Sequence, residues 1–116
     1  MPQELSIFDK ILRGEIKTDV VYEDDLVLAF RDINPQAPVH VLVIPKKKIT
    51  SFAAIDPLAA EELGNYMKRI SKVAKELNLN ENGYRVVFNH GKNGQQTVDY
   101  IHAHILGGRP LNWPPG

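Results

Sequence analysis

Cysteine is absent from the 116-residue chain. That excludes disulfides and any thiolate-held metal or redox centre. Net charge is missing too: 14 Lys and Arg balance 14 Asp and Glu, and a neutral chain lacks the electrostatic drive on which nucleic-acid binding rests. No apolar run reaches the length that spans a bilayer. The start, Met1-Pro2-Gln3-Glu4, has neither the basic nor the apolar region of a signal peptide. The expectation is a cytoplasmic protein with no nucleic-acid or membrane partner. There is no internal repeat, no Walker loop and no acidic cluster suited to Mg²⁺. The length suits one domain, residues 1–116, able to hold a core without staples.

What is present centres on Tyr100-Ile101-His102-Ala103-His104-Ile105-Leu106. Polar-tipped and apolar residues alternate, the period of a strand with one buried face. Tyr100, His102 and His104 are therefore expected on one face, successive Cα atoms of the set about 7 Å apart. Upstream, the loop from Asn89 to Thr97 is rich in glycine and amide residues, a composition that can turn backbone N–H groups toward an anion.

The rest of the chain supplies the frame. Ser6-Ile7-Phe8-Asp9 has the spacing of a capping box opening a short helix that Gly14 can end. Val20–Tyr22 and Leu26–Phe30 read as strands around an acidic turn, Glu23-Asp24-Asp25. Val39 to Ile44 is a nearly continuous apolar run interrupted by His40, which must hydrogen-bond something there. Lys46-Lys47-Lys48 reads as a solvated turn. Asp56-Pro57 predicts the start of a long helix, with Ala59, Leu63, Tyr66, Met67, Ile70, Val73, Ala74 and Leu77 as its buried stripe. Tyr84 to Phe88 is a further strand. This order implies an α+β domain: a five-stranded, mainly antiparallel sheet with two helices. The tail from 109 to 116, with prolines at 110, 114 and 115, is expected to be extended. Its lone tryptophan, Trp113, suggests a partner surface. The long helix and an edge strand before it are expected to carry the apolar surface of a homodimer.

Neutral imidazole serves as nucleophile, base or metal ligand. Beside an anion-suited loop, the histidines suggest attack on phosphorus, metal-free and with charge held by donors. Two other readings stand beside it. His40, His102 and His104 could form a three-histidine zinc centre, or the chain could be a binding module without turnover.

Three stretches together resemble the histidine-triad (HIT) family and its Hint branch, the purine-nucleoside phosphoramidate hydrolases. They are Tyr100 to Leu106, Asp32 to Lys47, and Leu106-Gly107-Gly108-Arg109 through Trp113-Pro114-Pro115-Gly116. The signature's first histidine is Tyr100 here. The resemblance implies a HIT-like fold whose sheets join across a homodimer, with no cofactor and no metal. It implies cleavage of nucleoside 5′-phosphoramidates or aminoacyl adenylates through a nucleotidyl-histidine; the partner is then a purine nucleotide, an AMP or GMP conjugate. His102 would be the nucleophile, His104 would hold phosphate oxygen and His40 would complete the catalytic cluster. Asp32 would bind the ribose hydroxyls with Ile33 beside it. Ile7, Phe8, Ile11, Phe30 and Leu42 would line the base pocket. Asn89 and Thr97 would face phosphate, with Gln95 where the branch has glycine. Trp113 would reach the neighbouring subunit's site.

Overall fold

The computed structural model describes residues 5–116; Met1–Glu4, read above for the absence of leader features, lies outside them. Helix α1 (Ile7–Leu12) precedes strands β1 (Val20–Glu23), β2 (Val27–Arg31) and β3 (Val39–Pro45). A 3₁₀ turn at Phe52–Ala54 leads to helix α2 (Ala60–Glu76), then β4 (Tyr84–Phe88) and β5 (Ala103–Gly107). The five strands form one antiparallel sheet in the order β1-β2-β3-β5-β4, the expected α+β fold with two helices. No helix among the described residues is long and apolar enough to cross a membrane.

Each face of the sheet carries its own core. On one, Val27, Ala29, Val41, Val43, Ile101, Ala103 and Ile105 pack against Tyr66, Ile70, Val73 and Ala74 of α2. On the other, Leu28, Phe30, Leu42, Ile44 and Tyr100 gather round Phe8 of α1. β3 is central and covered on both faces, which is why its apolar run is nearly unbroken. A six-residue helix has little stability alone. α1 persists because Ser6 and Asp9 cap it reciprocally and because Phe8 is buried, a contribution of roughly 1.5–3 kcal/mol. Gly14, at φ +78°, takes the left-handed position that ends the helix. In the β1–β2 turn, Asp24 accepts from the backbone N–H groups of Leu26 and Val27, from Tyr22 Oη and from Arg69 Nε of α2. Burial alone would raise the Asp24 pKa, but Arg69, Tyr22 and the two amides outweigh it and hold the carboxyl well below its usual range.

Four expectations are corrected. α2 begins at Ala60 with Ala59 as its uncapped N-cap residue; Asp56-Pro57 instead belongs to the preceding turn, where Leu58 N–H bonds to Ile55 O. Met67 is 53% exposed, because it sits at the rim of the stripe centred on Tyr66, Ile70 and Val73. β5 begins only at Ala103, since Ile101 N–H bonds to Ile49 O outside the ladder; the alternation of faces nevertheless runs unbroken from Tyr100. The strand before α2 is the central β3, so the sheet edges are β1 and β4. Residues 109–116 contain neither helix nor strand, as their prolines require.

Candidate active site

In the β3–β5 ladder Leu42 faces His104 and His40 faces Leu106. His40 and His104 are therefore diagonal neighbours on the α1 face, close enough for side chains to meet. His40 Nε2 lies 2.9 Å from His104 Nδ1. His102, two residues before His104, shares that face, and the two ring centroids are 4.9 Å apart. Phe8 meets the His102 ring edge-on at 5.0 Å. α1 thus closes this face of the core against the histidine strand.

Backbone groups fix the protons. Gln36 N–H donates to His40 Nδ1 at 3.0 Å. An amide cannot accept there, so His40 Nδ1 carries a lone pair and its proton sits on Nε2. That proton goes to His104 Nδ1, which leaves the His104 proton on Nε2. His104 Nε2 is buried and has no partner among the described residues, and an N–H so placed calls for an acceptor from a ligand. His102 is set the other way: its Nδ1–H donates to Tyr100 O at 2.8 Å, leaving the lone pair on Nε2. One imidazole offers an electron pair while its neighbour offers a proton.

All three imidazoles are neutral at pH 7. Burial lowers the pKa of His40 and His102, against opposing effects of Asp32 on both and of the Tyr100 carbonyl on His102. Burial, then the charges that His102 and His40 would carry, lowers His104 from 6.5 to about 4. An imidazole whose folded pKa is depressed takes up its proton more readily in the unfolded chain, so its contribution to stability is complete above 6.5 and is lost as pH falls toward the folded value. Asp9 and Asp24 are depressed below 3.8, and their contributions are lost only below that window. The melting temperature should therefore fall between about pH 6.5 and pH 4, and less steeply in His104→Gln. A flat wild-type melting temperature across that interval would contradict neutral buried histidines.

The remaining expected site residues divide. Asp32 is at the cluster: its Oδ2 lies 3.5 Å from His40 Nε2, and its Oδ1 accepts from Asn34 N–H at 2.8 Å. Phe8, Phe30 and Leu42 are buried together beneath the site, with Ile11 against them. Ile7 is exposed and Ile33 is 94% exposed, so both are available to a ligand but enclose nothing by themselves. Asn89 Nδ2 donates to Gly94 O at 2.7 Å and shapes the anion-suited loop. Gln95 has φ +59°, the conformation a glycine adopts freely, so the loop keeps its path there and the side chain points out, exposed. Thr97 is exposed and, with Ser6, Ile7 and Lys48, lines a cavity of about 350 Å³. Trp113 is 80% exposed, under the guanidinium of Arg85 at 5.9 Å. A cavity of about 430 Å³ on the α2 face, lined by Leu26, Ile49 and Tyr66 among others, contains no histidine.

Tyr100 shares the histidine face as expected, but its phenol turns from the site and donates to Pro45 O. Burial, and then the Asp9 charge, pushes the phenol up to about 12, so it stays protonated. Its service to His102 comes from the backbone carbonyl. Tyr100→Phe should therefore lower stability by about 1 kcal/mol, the net worth of one hydrogen bond, and leave turnover within about tenfold. A variant as inactive as one lacking His102 would make the phenol itself catalytic.

Sequence reasoning missed Gln36, whose part is played by a backbone N–H that no residue pattern reveals. It also missed Gln96, which accepts from Gly91 N–H and donates to Thr50 O and Val98 O, stapling the loop. An amide at a loop's end was the only available signal.

The HIT domain family matches residues 13–111. A 14 kDa zinc-binding protein of Zea mays is 54% identical over 113 residues, covering 96% of this chain and 88% of that protein. Adenylylsulfatase HINT1 of Arabidopsis thaliana is 49% identical, covering 96% and 76%. The crystal structure of a HIT family hydrolase from Legionella pneumophila Philadelphia 1 superposes with a TM-score of 0.89 at 50% identity, covering 95% of this chain and 98% of that one.

Proposed function

Because this chain belongs to the HIT domain family, we propose that it is a cytoplasmic hydrolase of nucleoside 5′-phosphoramidates, of the AMP–amine type. One observation carries the reading: adjacent neutral imidazoles with opposite proton placement, a lone pair on His102 Nε2 and a proton on His104 Nε2. His102 Nε2 attacks the α-phosphorus and the P–N bond breaks. The leaving nitrogen takes the proton of His104 Nε2–H, and a nucleotidyl-His102 forms. Water then attacks that phosphorus, returns a proton to His104 and releases the nucleoside monophosphate. Asn89 and Thr97 hold phosphate oxygens, the apolar residues from Ile7 to Leu42 take the base, and Asp32 accepts from the ribose hydroxyls.

The name of the Arabidopsis relative couples an adenylyl group to sulfate. The same site can expel such a leaving group, so adenylyl sulfate is the second substrate to test. Turnover of adenosine 5′-phosphoramidate and adenylyl sulfate, with mass-spectrometric trapping of the adenylylated protein, tests the reading. AMP release from neither, and no trapped intermediate, would leave a nucleotide-binding module. A 2′,3′-dideoxy substrate should bind more weakly by roughly 1.5–3 kcal/mol for each hydrogen bond lost to Asp32; equal affinity would remove Asp32 from the site.

Two relatives carry the name zinc-binding protein. Asp32, His40 and His104 do offer ligand atoms within 4.8 Å of one another. The donor set does not fit zinc. A lone pair on His40 Nε2 would force its proton onto Nδ1, against Gln36 N–H. The 2.9 Å between His40 and His104 nitrogens is a hydrogen-bond length, whereas two nitrogens on one tetrahedral zinc stand about 3.3 Å apart. Turnover in EDTA should equal turnover without it.

The proposal includes a homodimer. β4 is an open sheet edge bearing the exposed Tyr84 and Val86, a surface that pairing with a second copy would cover. Trp113 then has a neighbouring subunit to reach. A monomer in sedimentation at micromolar concentration would refute this part.

A further inference from the structure

The Gln36 N–H that fixes the His40 proton belongs to a loop, and the tail grips that loop from outside. Arg109 Nη2 donates to Gln36 O at 2.9 Å, while its Nη1 donates to Pro110 O at 3.0 Å. The grip is close: a Cβ on Gly108 would lie 2.9 Å from Pro38 Cβ, and Gly108 has φ +88°. The two peptide groups flanking the Gln36 Cα thus point opposite ways, one N–H inward to His40 Nδ1 and one C=O outward to Arg109. Rotation of this residue would break both bonds together.

We propose that Arg109 is a positioning residue for the histidine cluster, holding the Gln36 peptide so that its N–H selects the His40 tautomer and, through it, the proton on His104 Nε2. The guanidinium touches neither substrate nor imidazole. It works at one remove, along Arg109–Gln36–His40–His104, each link between 2.9 and 3.0 Å. Its planar fork, with one arm on Gln36 and the other on its own tail, braces loop and tail against each other as a lysine cannot. The kinetic consequence rests on the hydrolase reading; the tautomer consequence does not.

The test is ring nitrogen NMR of ¹⁵N-histidine-labelled full-length protein, with Arg109→Met, Arg109→Lys and Arg85→Met. Arg109 is exposed, so its replacement leaves the core intact. In the wild type His40 should show a bare Nδ1 and a protonated Nε2. In Arg109→Met both signals should move toward the average of two tautomers, and kcat should fall about tenfold with KM unchanged, the scale of one neutral hydrogen bond. Arg109→Lys should lie between. Arg85 holds the tail at Asn112 O, 2.8 Å away, and does not touch Gln36, so Arg85→Met should leave the His40 pattern unaltered. A wild-type His40 pattern in Arg109→Met overturns the proposal, as does an equal shift in Arg85→Met, which would assign the effect to a loosened tail. If the wild type turns over neither substrate, the hydrolase reading fails and the His40 signals alone decide this one.

Discussion

His102→Ala is expected to lower kcat by about 10⁴–10⁶-fold, the range seen when an enzyme loses a group that acts as a unit with its covalent nucleophile. The His102 lone pair is the one directed away from the backbone: Nδ1 is committed to Tyr100 O at 2.8 Å, and burial keeps the ring uncharged. The loss should fall on kcat, because the groups proposed to hold base, ribose and phosphate are untouched, and nucleoside monophosphate should bind with unchanged affinity. Alanine also removes the Phe8 contact, so His102→Asn is the better folded companion: its amide can still donate to Tyr100 O but has no nucleophilic nitrogen. Both variants should fail to form the adenylylated protein. Wild-type turnover in either, or a trapped adduct on another residue, would reassign the nucleophile.

His104→Ala should cost about 10²–10⁴-fold in kcat for phosphoramidates, the usual worth of a positioned general acid. The size should depend on the leaving group. An alkylamine departs only with a proton, so its loss should be near the top of that range. Sulfate leaves as a stable anion, so the loss for adenylyl sulfate should be near the bottom. That contrast separates proton delivery from oxygen binding, because a residue that only holds phosphate oxygen would slow both substrates equally. Equal losses would make His104 an electrostatic stabiliser and deprive the His40–His104 bond of its part in proton delivery.

Local sequence determined the parts of this protein that depend on backbone period and on neighbours in the chain. Alternation from Tyr100 to Leu106 put Tyr100, His102 and His104 on one face, and they are there. Ser6 and Asp9, three residues apart, specified their own capping box. The apolar run around His40 specified a strand in which a histidine must find a partner, and that strand is there. Tertiary structure decided everything that depends on register or on a distant backbone group. Which residue of β3 stands diagonal to His104 follows from the Leu42–His104 pairing across more than sixty residues of chain, and a slip of one residue would have sent His40 to the other face. Where α2 begins was decided by the 3₁₀ turn before it rather than by Asp56-Pro57. The Tyr100 phenol could have met the histidines, and Pro45 O took it instead. The proton positions that make the cluster chemically useful come from an amide N–H of Gln36 and a carbonyl of Tyr100. Every residue but proline carries such groups, so composition and spacing hold no trace of which ones will face an imidazole; only the folded chain brings them within hydrogen-bonding distance.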